Sequence, residues 1–90
     1  MKRFVDPPLR RALGRALERA RTAAGLTQQQ AAEKLACSPA RLSRKEAGYE
    51  AVTVADLFQV ADAYGTSAPE LVAHAARLHA GYLVLQETGA

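Results

Sequence analysis

The sequence predicts an all-α fold, a bundle of five helices, and three observations predict it. Good helix formers dominate: 20 of the 90 residues are Ala, and Leu, Arg, Glu and Gln are frequent, while β-branched residues are few. No stretch sustains the polar–apolar alternation of a half-buried strand. Helix starts and stops recur along the chain as capping residues, leading prolines and closing glycines.

Asp6-Pro7 reads as an N-cap followed by proline at the first helical position, where a missing N–H costs nothing. Leu9, Leu13, Ala16, Leu17, Ala20 and Ala24 then share one face. Gly25 stands where a left-handed residue closes a helix. Thr27-Gln28-Gln29-Gln30 is a capping box that opens a second helix, which runs to about Leu35. Ser38-Pro39 is a second cap and proline pair. The third helix therefore begins about three residues after the second ends, and Gly48 stops it. Thr53-Val54-Ala55-Asp56 caps a fourth helix, closed by Gly65, and Ser67-Ala68-Pro69-Glu70 caps a fifth. Leu71, Ala75, Leu78, Tyr82 and Leu85 follow at spacings of 4, 3, 4 and 3, a heptad seam that extends the fifth helix to about Gln86. Gly81 weakens that extension by about 1 kcal/mol relative to Ala. The alternative is a break there, with 82–85 as a short strand or a tail.

The expected core is Leu13, Leu17, Leu26, Ala32, Leu35, Leu42, Val54, Leu57, Val60, Ala61, Tyr64 and Leu71. The expected organisation is a flexible basic arm over 1–6 carrying Lys2 and Arg3, a helical domain over 7–75, and a C-terminal helical extension over 76–90. The seam at 71–85 is a candidate dimer or partner contact. Its alternative use is packing against the first helix of its own chain.

The net charge of +3 conceals a split. Residues 1–45 carry 11 of the 12 basic residues and 3 of the 9 acidic ones, a net +8; residues 46–90 carry a net −5. That polarity suits a basic face for a polyanion and an acidic remainder. The single cysteine excludes an internal disulfide and a cysteine-based zinc site. No apolar run approaches the roughly 18 residues of a membrane span, and the start does not read as a signal peptide. These features point to a reducing cytoplasm. The absence of Ile and Asn, with the abundance of Ala, suggests a GC-rich bacterial genome.

No enzyme, metal or cofactor site is expected. His74 and His79 lie about 140° apart around a helix and cannot share a metal by helical spacing. Cys37 has no nearby His and reads as a small core residue. No phosphate-cradling loop and no supported Ser/His/Asp set is present. Tyr49, Tyr64 and Tyr82 are too scattered for a base-stacking platform.

The functional signal is at 27–47. Two short capped helices joined by three residues have the layout of a helix-turn-helix, whose second helix enters the major groove of DNA. At 100° per residue, Ala40, Ser43, Arg44 and Ala47 share one face of that helix, while Leu42 and Glu46 point away. A face that is small apart from one arginine lets the backbone sit deep in the groove. Arginine there can bond guanine O6 and N7 together. Tyr49 follows the helix and is placed to bond a phosphate.

The motifs Gly25-Leu26-Thr27-Gln28, Ala32-Glu33-Lys34-Leu35 and Leu42-Ser43-Arg44-Lys45-Glu46-Ala47-Gly48, with Ala63-Tyr64-Gly65 and Ser67 beyond, resemble the Xre or phage-repressor (lambda repressor-like) helix-turn-helix domain. The resemblance runs over roughly residues 9–75 and extends to the N-terminal domains of actinobacterial regulators that carry a separate sensor region, so the chain reads as a candidate fragment of a longer protein. It implies a repressor-like bundle in which Gln28 bonds a phosphate and buttresses the third helix. It also implies that Ser38 presents a hydroxyl to phosphate, that Pro39, Ala40 and Arg44 read bases, that Arg41 meets a phosphate, and that Arg21 pairs with Glu46. Two positions depart from the family. Ala36 stands where the family has glycine, and a left-handed Ala36 is strained by roughly 1 kcal/mol. Lys45 stands where the family is apolar, so it must snorkel, pair with an acid such as Glu50, or face a partner chain.

The expected function is sequence-specific binding of double-stranded DNA by a transcriptional regulator of repressor type. Its expected form is a homodimer on a palindromic operator, with no membrane role. The alternatives are an antitoxin whose C-terminal segment clamps a toxin and a protein-interaction module that keeps the fold without binding DNA.

Overall fold

The computed structural model describes residues 7–87, and every regular element among them is a helix. The order is α1 (Pro7–Ala23), α2 (Gln28–Leu35), α3 (Pro39–Ala47), α4 (Val54–Tyr64) and α5 (Ala68–Glu87). The basic arm with Lys2 and Arg3, and the Asp6 cap, lie outside the described residues.

Local chemistry explains where each helix begins. Thr27 Oγ1 accepts the Gln30 N–H at 3.1 Å, and Gln30 Oε1 accepts the Thr27 N–H at 2.9 Å, closing a capping box. Thr53 and Asp56 close another at 3.0 and 2.8 Å. Ser38 and Ser67 accept from the N–H groups of Arg41 and Glu70 at 3.1 and 3.2 Å. Helix ends are as local: Gly48 and Gly65 occupy the left-handed region after α3 and α4. Ala36 does the same after α2, at φ 55° and ψ 44°, so the turn holds an alanine where a Cβ costs about 1 kcal/mol. α5 runs through Gly81 without a break and ends at Glu87.

The main core joins Leu17, Ala31, Ala32, Leu42, Leu57, Val60, Ala61, Tyr64 and Leu71, with Leu13, Leu26, Leu35 and Cys37 packed against it at partial burial. A smaller cluster of Ala12, Ala16 and Ala75, flanked by Leu13 and Leu78, joins α1 to α5. One expected core residue needs correction. Val54 is 69% exposed, because it opens α4 where nothing covers it. Val52, just before the cap, packs on the core instead, the position a hydrophobic staple fills. Leu9 and Ala24 are exposed, since the apolar face of α1 meets the bundle only along its middle turns and Ala24 lies past the helix end. Leu71, Ala75 and Leu78 of the seam pack within their own chain; the Tyr82 and Leu85 side chains lie outside what is described.

α3 is set by an unusually close approach. A Cβ on Gly14 of α1 would fall 2.4 Å from the Glu46 carbonyl oxygen and 2.5 Å from that of Lys45. Only glycine lets the two backbones meet this closely.

Candidate nucleic-acid interface

α3 buries one side and presents the other. Leu42 and Glu46 are buried, whereas Pro39, Ala40, Arg41, Arg44 and Ala47 are exposed and Ser43 is half-buried. The helix period alone produces this division. The exposed Ser38 hydroxyl is engaged by the Arg41 N–H as the helix cap. Tyr49 is 80% exposed just past Gly48.

The buried side is anchored by charge. Glu46, 5% exposed, accepts from Arg21 Nε at 2.7 Å on Oε2 and from Arg21 Nη2 at 3.2 Å on Oε1. Gln28 Nε2 donates to the same Oε1 at 2.9 Å. Arg21 Nη1 also donates to the Leu26 carbonyl at 2.8 Å. One carboxylate thus ties α3 to α1 and to the start of α2, and three charge-assisted bonds offset its desolvation. The pairing holds the Arg21 guanidinium above its ordinary range: the Glu46 hydrogen bond raises it and outweighs the opposing effect of burial. Gln28 spends one amide N–H on this anchor, so its side chain faces α3.

The half-buried Lys45 pairs with Asp56 of α4, Nζ to Oδ2 at 2.6 Å, and not with Glu50. The Asp56 carboxyl already sits at the α4 cap, where it can serve both groups. Burial pulls its pKa upward, but the Lys45 ammonium and the Thr53 donors outweigh that and hold it below the ordinary value.

Glu50 has a different use. Its Oε2 accepts from Arg41 Nε at 2.7 Å and its Oε1 from Arg44 Nε at 3.2 Å. The Arg41 hydrogen bond lowers the Glu50 carboxyl, against the upward effect of burial and with help from Arg44. Sequence reasoning missed this role. The available signal was an acid two residues past a left-handed Gly48, a position that folds back over the last turn of the helix. Both the Tyr49 and the Glu50 N–H groups reach the Arg44 carbonyl, at 2.9 and 3.3 Å.

Among the described residues, no three His, Cys, Asp or Glu side chains form a group that could hold a metal ion. No helix there is long and apolar enough to cross a membrane.

This geometry of a capped helix pair, a left-handed turn and an anchored second helix defines a helix-turn-helix domain, and the chain belongs to that family: the family model described as a helix-turn-helix domain matches residues 12–75. Among solved structures, a crystal structure of the clp gene regulator ClgR from Corynebacterium glutamicum is similar, with 33% identity and a TM-score of 0.84 over 94% of this chain and 90% of that one. A second ClgR structure from the same organism matches with 38% identity and a TM-score of 0.74 over 79% of this chain and 92% of that one. No curated protein matches the chain in a sequence comparison.

Proposed function

We propose that the chain is the DNA-binding domain of a transcriptional regulator that reads double-stranded DNA through α3. The observation that carries this reading is the exposed face of α3. It offers small side chains and two exposed arginines, Arg41 and Arg44, while the Glu46 carboxylate ties the opposite side to α1 and α2. A face of that shape admits the helix deep into the major groove, where arginine pairs with guanine. Pro39 and Ala40 supply apolar contact at the leading end of the helix. Ser38, Arg41, Ser43, Tyr49 and the remaining amide N–H of Gln28 are assigned to the sugar–phosphate edges. Membership of the helix-turn-helix family and similarity to a gene regulator support the assignment.

A single module covers few base pairs, so the working form is a homodimer on half-sites about 34 Å apart. Repression follows from occupying an operator, and the site of action is the cytoplasm. Selection of bound duplexes from a random DNA pool tests the reading, with titrations of the winner and a scrambled control at two salt concentrations. The expected outcome is a palindromic motif whose preference at one position Arg44→Ala relaxes by about 1–3 kcal/mol. Recovery of no motif, with all duplexes released equally as salt rises, would reject it.

A further inference from the structure

We propose that Glu50 is a positioning residue for DNA recognition, which holds Arg41 and Arg44 by their inner nitrogens so that they prefer a cognate duplex to an arbitrary one. The inference rests on the reading of α3 as the DNA-contacting helix.

The arrangement is specific. Arg41 and Arg44 stand three residues apart on α3, as surface neighbours. One carboxylate spans them, with a separate oxygen to each Nε. Its backbone is fixed by the left-handed Gly48 and by the bonds of residues 49 and 50 to the Arg44 carbonyl. Glu50 is more covered than either arginine, its side chain being 26% exposed against 56% and 53%. Exposed ion pairs contribute little to stability, so stabilisation alone is a weak reason for this geometry.

Two consequences follow for binding. A guanidinium has five N–H donors in a fixed fork, and Glu50 engages only the Nε–H of each. The Nη1 and Nη2 groups are not spent on Glu50, and such an edge is what a guanine O6/N7 pair or a phosphate requires. Fixing both side chains in advance lowers the ordering cost of the contact that fits that orientation, and only of that one. The second consequence concerns charge. Two arginines with one carboxylate carry a net +1 at this edge. An arbitrary phosphate must therefore compete with Glu50 for each guanidinium, which weakens the sequence-independent attraction.

The test compares the parent chain with Glu50→Gln, Glu50→Asp and a charge-matched control, Asp62→Asn on the exposed side of α4, after thermal melts establish that each is folded. Affinities are measured for the selected duplex and its scrambled version across a salt series. Glu50→Gln should bind the scrambled duplex about 3- to 10-fold more tightly, with a salt slope steeper by up to about one. The ratio of selected to scrambled affinity should fall by about fivefold or more. Glu50→Asp keeps the charge but is too short to span both arginines, so it should lose the ratio while keeping the parent salt slope. Asp62→Asn should leave the ratio unchanged. Equal tightening on both duplexes in Glu50→Gln, with Glu50→Asp like the parent, would reduce Glu50 to a bulk charge and overturn the proposal. Unchanged affinities in both variants would overturn it as well. If the parent chain itself prefers no duplex, the DNA reading fails first and the inference falls with it.

Discussion

Glu46 shows how one side chain fixes a surface it does not touch. Its carboxylate is buried and accepts three hydrogen bonds, two from Arg21 and one from Gln28. A buried charge with its partners in place adds modestly to stability, but removing one member strands the other. Glu46→Ala should therefore cost about 2–4 kcal/mol, since Arg21 is left nearly buried without its anion. In a domain of this size each kcal/mol lowers Tm by about 4–8 °C. Glu46→Gln keeps the shape and one acceptor and should cost clearly less. Thermal melts of both variants decide the matter, and equal, small losses would show that the anchor contributes little. Tyr64 stands near this group with a different balance. Its buried hydroxyl has no hydrogen-bond partner among the described residues, and burial, with the Glu46 charge, pushes its pKa up to about 12. Its large apolar ring accounts for its place in the core.

At the scale of the elements, α3 and α4 are coupled by Asp56. The same carboxylate closes the α4 capping box on Thr53 and pairs with Lys45 of α3. Its folded-state pKa lies below the ordinary value, so its contribution is complete above the unfolded pKa near 3.8 and is lost as pH falls through the lower folded value. Glu50 shifts in the same direction. The expected contribution of these carboxylates is a Tm that falls in the acid range, below the usual carboxylate pKa. Asp56→Asn should be less stable than the parent at pH 7 and should lose less on acidification. Melting both proteins from pH 7 to pH 2.5 checks this; parallel curves would remove Asp56 from the account.

At the scale of the whole molecule, backbone spacing positions the interface. α1 packs against both α3 and α5, and small residues permit both contacts. Gly14 and Gly81 form a matched pair for testing this. Both lie inside helices, where Ala is favoured over Gly by about 1 kcal/mol. A Cβ on Gly14 would meet two α3 carbonyl oxygens at 2.4 and 2.5 Å, whereas one on Gly81 would meet nothing within 4 Å. Gly14→Ala should therefore be destabilising by about 1–3 kcal/mol, overpacking outweighing propensity. Gly81→Ala should be stabilising by up to about 1 kcal/mol. Denaturant unfolding of the two variants measures both signs, and a stabilising Gly14→Ala would mean that α3 can move away from α1 at little cost.

The helices were legible in the sequence because their boundaries are set within a few residues. A Thr or Ser cap, a Pro in the first turn and a Gly in the left-handed region each act on neighbouring backbone groups, whatever the rest of the chain does. The two faces of α3 were legible for the same reason, since a helix repeats at a fixed period. The turn at Ala36 and the grip of Arg21 on Glu46 could be anticipated only through a resemblance, because both depend on how α1, α2 and α3 are placed. The partners of the remaining charges were decided by the tertiary structure alone. Lys45 reaches Asp56 at the first turn of α4, which leaves Glu50 free to take Arg41 and Arg44. The exposure of Val54, the need for glycine at position 14 and the use of Leu71, Ala75 and Leu78 against α1 are also products of packing. A periodic pattern shows that a face is apolar; only the assembled bundle determines which surface covers it.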